Sequence, residues 1–513
     1  VTSTADGPIV GTSEGKIQGT YEGDIAVFRG VPFAAPPVGP LRFKPPVRPS
    51  AWEGVRPCVE FGDACPQPGA GRAGKYGVLQ PTSEDCLYLN VWTPAADDAK
   101  RPVMVFLHGG ASIGGSGGVE VYNGARTAAQ GTVFVTVNYR LGALGFLHLA
   151  ELFPGYEGSG SAGVLDAVRA LEWVKENVAA FGGDPDNITL MGSSAGAINL
   201  TAALSMPKSR GLVRRAAPMS SVTGVYRTPA GATQGTLNIL GKLGIAHDDL
   251  DAILSIPAAD FTSFVSFPHL PAIAVVDGDY LPSAPYEALR GGATDGIDMI
   301  VGSTTEESRN GLFVFDGLEP TTQMRPGPYD LAGQLRWSSK SIEEITAVYA
   351  ESVVANGREA TEFNIYSAAS SDGMIQGGIR TAESRAGRPG ATTYMYRMSW
   401  WSPIEGGIFG AYHGVPTPFI FNNPELPTWT STLGEEPPLE LSRLYNKSLV
   451  AFATTGDPSI PELPAWPAYE LETRATMDWN LEPKIVSDPD SGRRQLWAEA
   501  GDQEWLEREP VAP

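Results

Sequence analysis

Gly192-Ser193-Ser194-Ala195-Gly196 puts a serine at the centre of a G-x-S-x-G run. An apolar segment, Ile188 to Met191, precedes it, and a helix-compatible run, Ala197 to Leu204, follows. Strand, sharp turn and helix in that order present a serine hydroxyl as a nucleophile. The turn is strained, so the residues two positions away on either side must be small. Gly192 and Gly196 meet that demand. The same pattern recurs around Ser13, Ser112 and Ser116. Ser13 lies between short strand-like pieces and reads as a hairpin turn. Ser112 and Ser116 share one flexible glycine loop with no helix directly behind it. Context therefore selects Ser194.

Acyl transfer through a serine needs a base for the hydroxyl proton, an acid to orient the base, and donors for the developing oxyanion. His108-Gly109-Gly110-Ala111 follows the apolar run Val103 to Leu107. Its small residues let backbone N–H groups approach a substrate oxygen, so Gly110, Ala111 and Ala195 are the expected donors. A phosphate-cradling loop is the rival reading, and it fails because no G-K-[ST] follows. The base must be one of five histidines. With a nucleophile elbow the chain order is serine, acid, histidine, which removes His108 and His148. His247, in His247-Asp248-Asp249, looks like a surface helix start. His269 follows Pro268 in a loop that could line a pocket. His413 lies in Gly410-Ala411-Tyr412-His413-Gly414, after a strand-like run around Tyr394, and is the choice that order favours. For the acid, Glu306 and Glu307 follow the apolar run Met299 to Val301 and the turn Gly302 to Thr305. Spacing does not choose between them, and a solvated acidic turn stays open beside both.

Several elements must position these groups. Val103 to Leu107, Val133 to Val137, Ile188 to Met191, Met299 to Val301 and Thr392 to Arg397 read as strands. Most are apolar throughout, as central strands covered on both faces must be. Gly163 to Phe181 carries Val164, Val168, Leu171, Val174 and Val178 at helical spacing, and Gly182-Gly183 supply the stop. Strands alternating with helices indicate an α/β fold: a mostly parallel central sheet with helices on both faces. The first sixty or so residues are rich in Pro and Gly and read as antiparallel edge strands plus loops. No internal repeat, long charge block or linker divides the chain. Residues 1–513 are therefore expected to form a single domain, with helical and loop insertions around the site entrance.

The 513 residues carry a net charge of −21, from 58 acidic and 37 basic side chains. That balance argues against nucleic acid or an anionic membrane as partner and fits a solvated acidic surface. No apolar run is long enough to span a bilayer. The chain begins at Val1, which fits a removed leader or a trimmed terminus, so a soluble protein in the cytoplasm or secreted after leader removal is expected. The three cysteines, Cys58, Cys65 and Cys86, form no C-x-x-C, which argues against a zinc site. Cys65 and Cys86 flank a Gly/Pro-rich stretch. A disulfide stapling it in an oxidising compartment and three free thiols are both open readings. Asn187, Asn199 and Asn446 match the N-x-S/T pattern. The first two lie beside the elbow, where a glycan would be buried, and read as chance matches.

These motifs together resemble the type-B carboxylesterases, the cholinesterase-like branch of the α/β-hydrolases. Phe28 to Gly39, Ser83 to Val91, Asn138-Tyr139-Arg140-Leu141-Gly142 and Ala180 to Pro185 each resemble a family signature. The His-Gly-Gly-Ala form of the oxyanion loop is shared with bacterial p-nitrobenzyl-esterase-like members. The resemblance implies an α/β-hydrolase fold and roles for matching positions: Ser194 as nucleophile, Glu307 rather than Glu306 as triad acid, and His413 as base. It implies that Ser220 is a buried serine helping to position acid and base. Cys65 and Cys86 match a pair bridged in many secreted relatives. Two departures stand out. Ser193 replaces the glutamate usual before the nucleophile, which weakens any case for choline esters. Ser303-Thr304 and Ser308 replace the usual residues around the acid.

The expected activity is hydrolysis of a small-molecule carboxylic ester through an acyl-enzyme on Ser194, by a monomer or homodimer and without metal or organic cofactor. Amide or carbamate hydrolysis on the same triad is the alternative within the fold. A non-catalytic cholinesterase-like binding module is the alternative outside enzymology, and the intact set of serine, acid, histidine and oxyanion loop argues against it. Trp400, Trp401, Phe313 and Phe315 could line an apolar substrate pocket or belong to the core.

Overall fold

Short apolar runs build the main sheet. The computed structural model describes residues 7–69, 80–264, 272–316, 319–324, 329–335 and 338–498. The sheet has eleven strands: β1 (Thr20–Glu22), β2 (Ile25–Pro32), β3 (Tyr88–Thr93), β4 (Arg101–Leu107), β5 (Val133–Val137), β6 (Gly183–Ser193), β7 (Arg215–Met219), β8 (Asp298–Thr304), β9 (Thr393–Met398), β10 (Ala475–Trp479) and β11 (Lys484–Ser487). Their spatial order is β11-β10-β9-β8-β7-β6-β4-β5-β3-β2-β1. The block from β10 to β5 is parallel. At one edge β11 pairs antiparallel, and at the other β3, β2 and β1 do so in turn.

Parallel strands need long crossover connections, usually made by a helix. Helix α1 (Ala162–Asn177) joins β5 to β6 and α2 (Ala195–Ser205) joins β6 to β7. Helices α3 (Ile342–Ala355) and α4 (Glu362–Arg385) lie between β8 and β9. Helix α5 (Leu439–Thr455) precedes β10, and α6 (Ser491–Ala498) follows β11. Side chains alternate across a strand, so β4 serves two cores. Val103, Val105 and Leu107 pack with Leu171 and Val174 of α1. Met104 and Phe106 face the other way and pack with Leu441, Leu444 and Phe452 of α5. This is the mostly parallel sheet covered on both faces that the apolar runs imply.

Helix α1 ends as its sequence indicates: a 3-10 turn, Val178–Phe181, leads to Gly182 at φ 77°. The amino-terminal region is mixed rather than purely antiparallel. Ile9–Gly11 and Lys16–Gln18 form a hairpin around Ser13, closed by Thr12 N–H donating to the Gly15 carbonyl at 2.9 Å, but Lys16–Gln18 then pairs parallel with Val55–Pro57. Strand β7 carries no clear sequence signal. Its Arg-Ala-Ala-Pro-Met has weak strand propensity, and Pro218 lacks the N–H a central ladder uses. Burial between β6 and β8 outweighs both.

A smaller apolar cluster joins α3, α4 and α6 through Ile345, Tyr349, Ile365, Leu496 and Trp497. At its centre Asp372 accepts hydrogen bonds from Tyr349 Oη (2.6 Å) and Trp497 Nε1 (2.8 Å) and pairs with Arg493. Among the described residues no helix is long and apolar enough to cross a membrane.

Candidate active site

Strand β6 ends at Ser193 and α2 begins at Ala195, leaving Ser194 in the turn with φ 58° and ψ −126°. A non-glycine residue holds such dihedrals only when its surroundings over-determine them. Here the Ser194 N–H donates to the Met219 carbonyl at 3.0 Å, and its carbonyl accepts from Ala197 and Ile198 at 2.9 and 3.0 Å. A Cβ on Gly192 would sit 2.6 Å from the Gly196 carbonyl, and one on Gly196 would overlap the Leu107 carbonyl oxygen. Both glycines are therefore sterically required.

The segment after β4 passes beside this turn: a Cβ on Gly109 would lie 3.2 Å from Ser194 Cβ. Gly110, Ala111 and Ser112 all have positive φ (110°, 54° and 54°), a run of unfavourable backbone. Among the described residues the Gly110 and Ala111 N–H groups have no acceptor. The Ala195 N–H, in the first turn of α2, lacks an intrahelical one. Several contacts hold the loop. The Ser112 carbonyl accepts from Gly142 N–H at 2.7 Å, and its Oγ accepts from Asn199 Nδ2 at 3.1 Å. Gly115 exchanges hydrogen bonds with Gln67 at 2.7 and 3.0 Å, and Asn138 Oδ1 accepts from Gly117 N–H at 2.7 Å. Buried side-chain amides thus tie the glycine loop at several points.

His108 is enclosed and stacks on Tyr139, ring centroids 4.4 Å apart, while Tyr139 Oη donates to its carbonyl at 2.8 Å. Burial pulls its imidazole down to about 4, and Nδ1 lies 2.8 Å from the Gly109 carbonyl. It is a neutral support for the loop. His148 is buried and lowered by desolvation, with Arg227 adding to the shift. His247 is exposed, ahead of the Asp249 cap of a short helix. His269 lies outside the described residues.

His413 Nδ1 is 2.6 Å from Glu307 Oε2. Glu307 is buried, and its other oxygen accepts from Ser220 Oγ at 2.6 Å and from the Thr304 N–H at 2.7 Å. Ser220 follows β7 with φ 55° and is tied to the Gly302 carbonyl by its N–H at 2.8 Å. Ser194, Ser220 and Glu307 thus leave the carboxyl ends of neighbouring strands β6, β7 and β8, where open α/β sheets bind ligands. Glu306 faces a different set: Arg358, Arg309 and the Ala411 N–H. The adjacent glutamates, indistinguishable by spacing, have separate partners.

Of the aromatic candidates, Phe313 is core, edge-on to Phe409 at 5.2 Å, and Trp400 packs on Phe419 at 5.8 Å. Trp401 is half-buried beneath the Arg358 guanidinium, 3.9 Å from its ring centroid. The side chain of Phe315 lies outside the described residues. The cysteine pair departs from the bridged reading. Cys58, Cys65 and Cys86 are all free buried thiols. The Cys86 thiol is held well above its usual range, first by its hydrogen bond to Cys65 and then by burial. Asn446 is also buried, donating to the Ile420 carbonyl at 2.6 Å, and so is Asn199.

Sequence reasoning missed Asn199, Gln67, Thr304, Arg309 and Arg358. Asn199, Gln67, Arg309 and Arg358 act on segments distant in sequence, and the Thr304 contribution is a backbone N–H three residues before Glu307, which no side-chain pattern announces. The Asn138-Tyr139-Arg140 signature does have a physical reading. Asn138 holds the glycine loop and Tyr139 holds His108. Arg140 makes a buried two-point pair with Asp166 at 2.8 and 2.7 Å.

A model of the carboxylesterase family matches residues 6–497. The para-nitrobenzyl esterase of Bacillus subtilis (strain 168) is 35% identical over 482 residues, covering 91% of this chain and 94% of its own. A phenmedipham hydrolase of Pseudarthrobacter oxydans is 33% identical over 493 residues, covering 92% and 94%. A solved carboxylesterase of Geobacillus stearothermophilus superposes with a TM-score of 0.82 at 36% identity, over 95% of this chain and 99% of that one.

Proposed function

The chain belongs to the carboxylesterase family and is a serine carboxylic ester hydrolase, and from that premise we propose that Ser194, His413 and Glu307 are its catalytic triad. His413 takes the Ser194 hydroxyl proton, and Oγ attacks the ester carbonyl. The N–H groups of Gly110, Ala111 and Ala195 hold the oxyanion. The tetrahedral adduct collapses, His413 protonates the leaving alcohol, and an acyl-Ser194 ester remains. Water, deprotonated by His413, attacks that ester and releases the acid. These steps consume only ester and water.

The observation carrying this reading is the buried Glu307 carboxylate bonded to His413 Nδ1 at 2.6 Å while Ser220 and Thr304 fix its other oxygen. That arrangement keeps the Nδ1 proton on the acid's side and leaves Nε2 to accept from serine. The unpartnered N–H groups of Gly110 and Ala111 support the oxyanion assignment. Ser193, where relatives of the cholinesterase type carry a glutamate, removes an anion next to the nucleophile, so neutral esters rather than choline esters are the proposed substrate class. The small residues at Gly110 and Ala111 leave room for a bulky alcohol or acyl group.

Ser194→Ala should abolish p-nitrophenyl acetate turnover and the acyl-enzyme burst while the melting temperature stays near that of the parent. Retained turnover would overturn the assignment. A panel of esters varied separately in acyl and alcohol size, with matched amides and carbamates, reads the bond and group preference.

A further inference from the structure

Glu306 sits one residue before the proposed triad acid, yet its carboxylate does not face the imidazole. Its Oε2 accepts from the Ala411 N–H at 3.1 Å and from Arg358 Nη2 at 2.9 Å, and its Oε1 is held by Arg358 Nε and lies 3.3 Å from Arg309 Nη1. The Glu306 N–H donates to the Ala411 carbonyl at 3.2 Å, so backbone and side chain both grip residue 411. The two arginines reach the same loop: Arg358 Nη2 donates to the Gly407 carbonyl at 3.1 Å and Arg309 Nε to the Ile408 carbonyl at 2.6 Å. Gly410 has φ 59°, and a Cβ there would overlap the Glu306 carboxylate, so the loop runs directly against it. Each arginine is itself oriented, Arg358 on the Trp401 ring at 3.9 Å and Arg309 over Phe363 at 4.9 Å. Burial pulls Arg309 down to about 10, with Glu306 opposing the fall. Glu306 is thus the anion that makes two enclosed guanidiniums tolerable in this place.

We propose that Glu306, with Arg358 and Arg309, is a positioning clamp that fixes the backbone of residues 407–411 and so sets where the His413 imidazole stands. The proposal rests on the reading of His413 as base. The adjacent glutamates act on the same base from two sides. Glu307 orients the ring of His413, and Glu306 anchors the loop carrying it. The segment Gly406 to Gly414 carries four glycines and no α-helix or strand. A turn from Gly410 N–H to the Gly407 carbonyl and the buried Phe409 and Tyr412 hold it in part, and the Glu306 contacts add the polar anchor. A misplacement of about 1 Å at the reacting groups costs on the order of 100-fold in rate.

The test compares parent, Glu306→Gln and Arg358→Lys with p-nitrophenyl acetate. Active sites are titrated with a fluorophosphonate so that kcat is expressed per competent serine. Glu306→Gln should lower kcat by about 10- to 100-fold with KM changed by less than about threefold. Arg358→Lys keeps the charge but loses the planar fork, and should lower kcat by about 5- to 10-fold. A role confined to stability would lower the melting temperature and the titratable fraction but leave kcat per site at the parental value, and that result overturns the clamp. If Glu306→Gln does not fold, Arg358→Lys at full kcat per site overturns it as well. The triad reading fails separately, through Ser194→Ala retaining turnover.

Discussion

Glu307→Gln isolates the electrostatic and tautomeric work of the proposed acid without changing its shape. The carboxylate meets donors on both sides: Ser220 Oγ–H and Thr304 N–H at Oε1, His413 Nδ1–H at Oε2. A glutamine has one acceptor end. The Oε1 position faces two donors, including a backbone N–H that cannot rotate away, so the amide oxygen settles there and the NH2 group faces His413. The imidazole must then accept at Nδ1 and carry its proton on Nε2, the tautomer that cannot take a proton from Ser194. The equivalent change in a serine-protease triad costs about 10⁴ in kcat, or about 5 kcal/mol in barrier height. The assay is kcat per fluorophosphonate-titrated site for p-nitrophenyl acetate, with circular dichroism to check folding. Glu307→Gln should fall about two decades or more below Glu306→Gln. A loss under about tenfold in a folded Glu307→Gln protein would refute the tautomer argument and with it the choice of acid.

Ser220→Ala removes one charge-assisted hydrogen bond from Glu307 but leaves the Thr304 N–H, so kcat should drop by about 10- to 100-fold (about 1.5–3 kcal/mol), read in the same assay. Asn199→Ala frees Ser112 in the loop proposed to hold the oxyanion. It should cut kcat about tenfold with KM little altered, and an unchanged kcat would mean the loop holds itself. Asp166→Asn leaves Arg140 buried without its counter-ion and should lower unfolding free energy by about 3–5 kcal/mol in urea titrations. His108 has a folded pKa depressed from 6.5 to about 4. The unfolded chain therefore binds its proton first as pH falls, and stability is lost between about pH 6.5 and 4, by about 3 kcal/mol in all. Urea midpoints at pH 7 and 4.5 should converge in His108→Gln relative to the parent.

Legibility in the sequence followed the range of the interactions. Strands β4, β5, β6, β8 and β9 were readable from their apolar runs, which a strand segment enclosed on both faces requires; the polar start of β6, Gly183 to Asn187, carried no such signal. Helix α1 was readable because one face repeats at helical spacing. Strand β7 was not, since its residues are strand-like only where β6 and β8 enclose them. The cysteine pair was half readable. The resemblance paired Cys65 with Cys86 across a Gly/Pro-rich stretch and the fold does bring the two together, but as free thiols sharing a hydrogen bond, a matter of local geometry.

The sequence by itself determined the elbow and its serine. The turn at Ser194 needs small residues at Gly192 and Gly196, within the same five residues, so its signature is local, although the Leu107 and Met219 carbonyls that enforce it come from neighbouring strands. It also carried the chain order of Ser194, the Glu306–Glu307 pair and His413, and the small residues of the proposed oxyanion loop. The tertiary structure decided the partners. Glu306 and Glu307 are chemically identical neighbours, separated only by what the folded chain brings to each: two arginines and a loop backbone for one, an imidazole, a serine and an amide for the other. Hydrogen bonds and ion pairs between distant segments depend on direction and distance in three dimensions, and one-dimensional spacing does not encode these.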